Sequence, residues 1–221
     1  TVYSAEQFTA RTFRQLTTSF YSEYRVSDKT TLIGKLAYAT QEYGGQFPST
    51  TQGLTAADMS IQHLFRRTDH SVYAGRITYA AETEMDRLLQ AENTRFEPIT
   101  YGNAVELTFL AGRSIRKDGT LFVSAETGFR YAIADDADLI NFSITTGFKP
   151  SDRWLFLAKS LNTVSLQNDS NGVDYDVFRL EQSLVFHRNE RVSYALGASY
   201  DLNGRNLQTG SSVYLSVWNR F

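Results

Sequence analysis

The sequence predicts an all-β fold, an antiparallel up-and-down transmembrane β-barrel of 12 strands, on three observations. Apolar residues recur at every second position through most of the chain. The segments carrying that period run about 10 to 13 residues, against ~5 to 6 for an ordinary soluble strand and ~9 to 11 for a tilted membrane-spanning one. Short polar turns also alternate with longer connections, as they do when one end of a barrel is trimmed and the other is not.

The first clear segment is Gln15 to Val26. Leu16, Thr18, Phe20, Tyr24 and Val26 fall on one face, and Gln15, Thr17, Ser19, Glu23 and Arg25 on the other. Successive strand residues point to opposite faces, so this is a strand with one apolar and one polar side. Leu32, Gly34, Leu36 and Tyr38 then alternate with Lys35 and Gln41. Met59, Ile61 and Phe65 share a face with His63, which makes this strand less clean. Tyr73, Gly75, Ile77 and Tyr79 alternate with Arg76 and Thr78, and Val105, Leu107, Phe109 and Ala111 with Glu106 and Thr108.

The rhythm continues with Leu121, Val123, Ala125, Phe129 and Tyr131 against Ser124, Glu126 and Arg130. Ile140, Phe142, Ile144 and Phe148 oppose Asn141, Ser143 and Lys149. Trp154 to Leu161 is apolar on both sides and carries Lys159. Phe178, Leu180, Leu184 and Phe186 oppose Arg179, Glu181 and Ser183. Val192, Tyr194, Leu196, Ala198 and Tyr200 oppose Ser193, Gly197, Ser199 and Asp201. Val213, Leu215, Val217 and Phe221 oppose Ser216 and Arg220. No helical period intervenes.

Short turns stand at Ser27–Thr30, Thr68–Ser71, Lys117–Gly119, Lys149–Asp152 and Arg188–Arg191. The other connections are mostly longer: Gly44 to Thr55, Glu82 to Gly102, Asp135 to Asp138, Thr163 to Asp174 and Asn203 to Gly210. Aromatics crowd the ends of the apolar faces (Phe20, Tyr24, Tyr73, Tyr79, Tyr194, Tyr200), where a lipid-facing surface carries its interfacial girdles. A soluble barrel would turn that face inward and would not place bulky charges opposite it.

Bulk properties agree. The 221 residues include 15 Phe and 13 Tyr in a chain whose mean hydropathy is only −0.34. Alternation explains that combination. Net charge is −2 with no basic field, so no nucleic acid partner is expected. Cysteine is absent, which excludes disulfides and thiolate metal sites, and no cofactor or metal is expected. No apolar run reaches the ~18 to 20 residues of a membrane helix. No signal-peptide pattern stands at Thr1, so export implies a mature or trimmed chain.

The final ten residues, Ser212 to Phe221, resemble the closing strand of bacterial outer-membrane β-barrel proteins, which commonly ends on Phe after alternating apolar positions. The resemblance implies a bacterial outer-membrane location, with lipid and lipopolysaccharide as surroundings. It also implies recognition of Val213, Leu215, Val217 and Phe221 by the barrel-assembly machinery, and a last strand ending at the periplasmic face. An even strand count then requires an upward strand before Gln15. Residues 1–14 supply it, as an irregular first strand or a short plug or helix before the barrel of residues 15–221, or the chain is the barrel end of a longer protein. Ser4-Ala5-Glu6-Gln7 has the composition of a helix cap.

Twelve strands ~4.8 Å apart and tilted ~40° give a backbone diameter of roughly 24 Å and a lumen on the order of 10 Å. The polar faces line it with both signs: Lys35, Arg76, Arg130, Lys159 and Arg179 against Glu106, Glu126 and Glu181. That lining suits a pore for ions or small polar solutes with weak charge selectivity. The same residues, paired across the lumen, would close it. The chain is similar in size to the monomeric 12-stranded channels for acidic oligosaccharides, whose basic tracks this mixed lining does not reproduce. Barrels fused behind helical repeats in polysaccharide export are equally compatible.

Catalysis is not expected. His70 and His187 lie at turns and His63 within a strand, none beside an evident nucleophile and acid. Asn168 to Asp174 has oxygen ligands at calcium-loop spacing without the closing Glu, and reads as an Asn/Gly turn. Asp135, Asp136 and Asp138 suit solvation or divalent cations at a lipopolysaccharide surface. The face assignments predict that Arg in place of Phe109 or Leu196 costs ~2 to 4 kcal/mol, and that Arg in place of Thr108 or Gly197 is milder if it fits the lumen.

Overall fold

A computed structural model describes residues 2–6, 12–43, 49–81, 103–133, 137–167, 175–206 and 209–220. Twelve strands form one closed antiparallel barrel in which every strand pairs with its sequence neighbours and the last pairs with the first. They are β1 (Val2–Glu6), β2 (Thr12–Arg25), β3 (Thr30–Tyr43), β4 (Ser49–Arg67), β5 (Ser71–Ala80) and β6 (Ala104–Ser114). They continue with β7 (Leu121–Ala132), β8 (Leu139–Ser151), β9 (Trp154–Ser165), β10 (Asp176–His187), β11 (Val192–Arg205) and β12 (Gly210–Asn219). Closure leaves no sheet edge around most of the wall, which is what a sheet standing in hydrocarbon requires.

The strand that an even count demands is β1. It is five residues long and pairs through Val2↔Val213 and Val2↔Leu16, so it fills the upper part of the wall, away from the short turns. Below Val2, residues 17–25 of β2 and 214–219 of β12 have no strand between them among the described residues. Ser4 to Glu6 lie in this strand and not in a helix.

Short connections close one end. Thr30 donates its amide to the Ser27 carbonyl, Thr68 to Ser71, and Asn189 to Val192. In the β6–β7 turn the Asp118 carboxylate accepts from the amide and hydroxyl of Thr120, which hold its pKa below the usual carboxylate value. Gly119 follows at φ +72°, a left-handed conformation that glycine adopts without steric cost. At the other end the expected loops are shorter: β4 begins at Ser49 and β11 runs to Arg205, so two connections expected to be long are shorter than their composition suggests. The Glu82 to Gly102 and Asn168 to Asp174 loops, with Asp135 and Asp136, lie outside the described residues.

Register fixes the two faces. Tyr24, Leu32, Ile61, Ile77, Leu107, Phe129 and Ile140 are successive cross-strand partners, one apolar line running obliquely across seven strands. Leu215 is 73% exposed and Tyr24 70%, values that mark a surface made for lipid and not a core. His63 belongs to this outer face with Met59 and Ile61, and its Nδ1 pairs with Thr30 Oγ1 at 3.2 Å near the short-turn end. Among the described residues, no helix is long and apolar enough to cross a membrane.

Candidate functional site: the lumen

The inward face follows from contacts that skip a strand. Arg76 on β5 reaches Glu126 on β7 at 3.1 Å, across β6. Tyr214 on β12 donates to Glu181 on β10 at 3.0 Å, across β11. Strands two apart lie ~10 Å from one another, and their side chains converge only on the concave side.

The structure places all eight expected lining residues on this face: Lys35, Arg76, Glu106, Glu126, Arg130, Lys159, Arg179 and Glu181. It brings most of them into pairs along the wall. Lys35 meets Asp58 at 3.6 Å and Arg76 meets Glu126 at 3.1 Å. Arg179 Nε meets Asp201 at 2.6 Å, and the Gly210 amide donates to the same carboxylate at 3.0 Å. Glu106 is held by the Thr108 hydroxyl at 2.9 Å and the Asn141 amide at 3.1 Å, and Asn141 in turn accepts from Thr163 at 2.8 Å.

Arg130 sits beside Glu106 in register, but its buried Nη2 has no hydrogen-bond partner among the described residues. Along the middle of the wall, charges of both signs alternate, with Lys35, Arg76, Arg130, Lys159 and Arg179 beside Asp58, Glu106, Glu126, Glu181 and Asp201.

Several lumen residues were not named among the lining set, although Asp201, Gln15 and Gln41 had been placed on polar faces. Asp58 and Asp201 lie on the polar parity of β4 and β11, and the partner that makes each matter is set by register, which one strand alone does not reveal. Tyr21 faces inward and donates to Glu23 at 2.5 Å. Gln41 donates to Gln15 at 2.7 Å deep in the upper wall. His187 also faces inward, with Nδ1 against Ser193 Oγ at 2.8 Å, and among the described residues no group of three His, Cys, Asp or Glu is placed to hold a metal.

Two lumen aromatics lie flat because glycine lets them. The Tyr214 ring covers Gly197 and the Phe122 ring covers Gly147, each occupying the space a Cβ would need. Thr108 is likewise buried and bonded to Glu106. Neither Gly197 nor Thr108 therefore meets the condition on which Arg was expected to be mild there. Gly197→Val should push Tyr214 off Glu181 and toward the axis, lowering single-channel conductance by roughly half. Unchanged conductance from a folded variant would count against this placement of the ring.

Of the assembly residues, Val213, Leu215 and Val217 point outward and are 57, 73 and 62% exposed, while Phe221 lies outside the described residues.

The fold is that of known outer-membrane channels. The chain resembles the NanC porin with a TM-score of 0.61 at 8% identity, over 100% of this chain and 98% of that one. It resembles the COG4313 outer membrane channel from Pseudomonas putida F1 with a TM-score of 0.58 at 9% identity, over 98% of this chain and 90% of that one. No family model matches the sequence, and no curated protein matches it significantly.

Proposed function

We propose that this protein is a diffusion channel of the bacterial outer membrane, passing ions and small polar solutes through a narrow lumen of mixed charge. One observation carries the reading: a barrel with a lipid-facing outer surface encloses charges of both signs that pair along its wall, as in Arg76–Glu126. The likeness to two outer-membrane channels supports it. In this reading lipid and lipopolysaccharide surround the barrel. The assembly machinery reads the last strand through Val213, Leu215, Val217 and Phe221, and no catalytic step is involved.

Single-channel recording after refolding into a planar bilayer tests it. A salt gradient should give a reversal potential close to zero, with the two ions' permeabilities within about threefold of each other, because charges of both signs line the middle of the wall. A folded barrel that never conducts would replace this reading with a closed barrel serving binding, assembly or polysaccharide export.

A further inference from the structure

β9 breaks the rule that the other strands obey. Its outward side carries Trp154 and Phe156 at the short-turn end but Ala158, Ser160 and Asn162 above them, and Asn162 is 8% exposed with its amide bonded to Ser160 and to the Phe142 carbonyl. Its inward side carries Leu155, Leu157 and Leu161 around Lys159, as the pairs Thr145↔Lys159 and Glu181↔Lys159 require. Leucine facing a water-filled lumen has no folding rationale of its own, since the same residue would gain more on the lipid side.

These leucines have company at one height. Inward Ile33, Ala74, Val185 and Ala195, like Leu155 and Leu157, fall within the first five residues of their strands counted from the short-turn end. Their exposures are 6, 4, 0 and 1%, although each belongs to the lumen face. In a barrel, an inward residue out of reach of water is covered by other lumen side chains. Phe122 over Gly147 adds an aromatic ring to the layer. The carboxylate at this level among the described residues is Glu23, which is bonded by Tyr21 on β2, nearly opposite β9 in strand order. Leu155, Leu157 and Val185 thus form an apolar patch on the inward side of β9 and β10, at a height where Glu23, Lys149 and His187 also face inward.

We infer that this patch takes the body of a small organic carboxylate, aromatic or aliphatic, whose carboxylate group meets Lys159. The inference rests on the channel reading and names its solute class. An apolar body gains by transfer from water to the leucine side chains. Lys159 stands immediately above Leu157 and forms no ion pair among the described residues, while its register neighbour Glu181 accepts from Tyr214. The ammonium is placed to receive the anionic end of a solute whose other end sits among the leucines.

The experiment compares wild type, Leu157→Asn and Lys159→Gln in planar bilayers, with Leu155→Asn as a second polar variant of the patch. Potassium chloride and potassium benzoate are the probes, and folding is checked by heat-modifiable gel mobility. The benzoate-to-chloride permeability ratio should fall about threefold or more in Leu157→Asn, Leu155→Asn and Lys159→Gln. A ratio unchanged in these folded, conducting variants overturns the carboxylate site and leaves the channel standing. Folded barrels that carry no current in any variant overturn both.

Discussion

Replacing Phe109 with Arg is expected to destabilise the folded barrel by ~2 to 4 kcal/mol in a denaturant titration in lipid, and replacing Thr145 with Arg by less than half as much. Phe109 is the sixth residue of the eleven in β6, 47% exposed on the outer face, and its ring stacks on Tyr73 at a centroid distance of 6.4 Å. A guanidinium there stands in the middle of the lipid belt, where snorkelling to either interface costs rotamer freedom and still leaves it poorly hydrated. Thr145 occupies the inward parity of β8, opposite Ser124 and Lys159, where a long cation can extend into the lumen. Leu196→Arg on β11 should repeat the Phe109 result, since Leu196 is 62% exposed on the same outer surface. Equal losses from Phe109→Arg and Thr145→Arg would mean that the two faces have been assigned the wrong way round.

The architecture was legible because lipid imposes a rule that single residues must obey. Each strand needs an apolar side and a polar side, so the faces of β5, β6 and β8 can be read one position at a time with no knowledge of their neighbours. Tyr73, Ile77, Leu107, Phe109 and Phe142 were read as one face and are exposed together on the outside. Loop lengths were less legible, because a strand that rises above the membrane loses its alternation. Ser49 to Ala56 of β4 carries little apolar pattern, yet pairs with Ala37 to Tyr43 of β3 through backbone bonds that ask nothing of side chains.

The lumen was legible as a list of charges and not as a set of partners. Arg76 and Glu126 are fifty positions apart, and only the combined registers of β5, β6 and β7 bring them together. A register slip of one residue would turn every one of these side chains to the opposite face, so the pairing is information of the whole sheet. β1 was inferred from the parity of the strand count, since neither its five residues nor its alternation marks it. β9 was visible as an exception, apolar on both sides. Its meaning had to wait for the residues that share its height on other strands.

The Arg179–Asp201 pair should be the most sensitive polar contact in the wall. Asp201 is 1% exposed, its carboxylate receives Arg179 Nε at 2.6 Å and Nη2 at 3.4 Å, and the Gly210 amide at 3.0 Å ties in the first residue of β12. The contact also sits where the β10–β11 register shifts between Phe178 and Arg179, so it braces an irregularity that backbone pairing leaves weak. Arg179→Met strips the counter-ion from a carboxylate that the wall keeps out of water, and should cost about 3 kcal/mol or more. Asp201→Asn keeps an acceptor for Gly210 while removing the buried charge, and should cost about half of that. Arg179→Met combined with Asp201→Leu removes both charges and should recover much of the single-variant loss, because replacing both members of a buried pair is often nearly neutral. Urea titrations of the four proteins form a double-mutant cycle that reads the coupling directly. Losses that simply add would show two independent contacts in place of one braced pair. In that case the bulge is held by the strands around it.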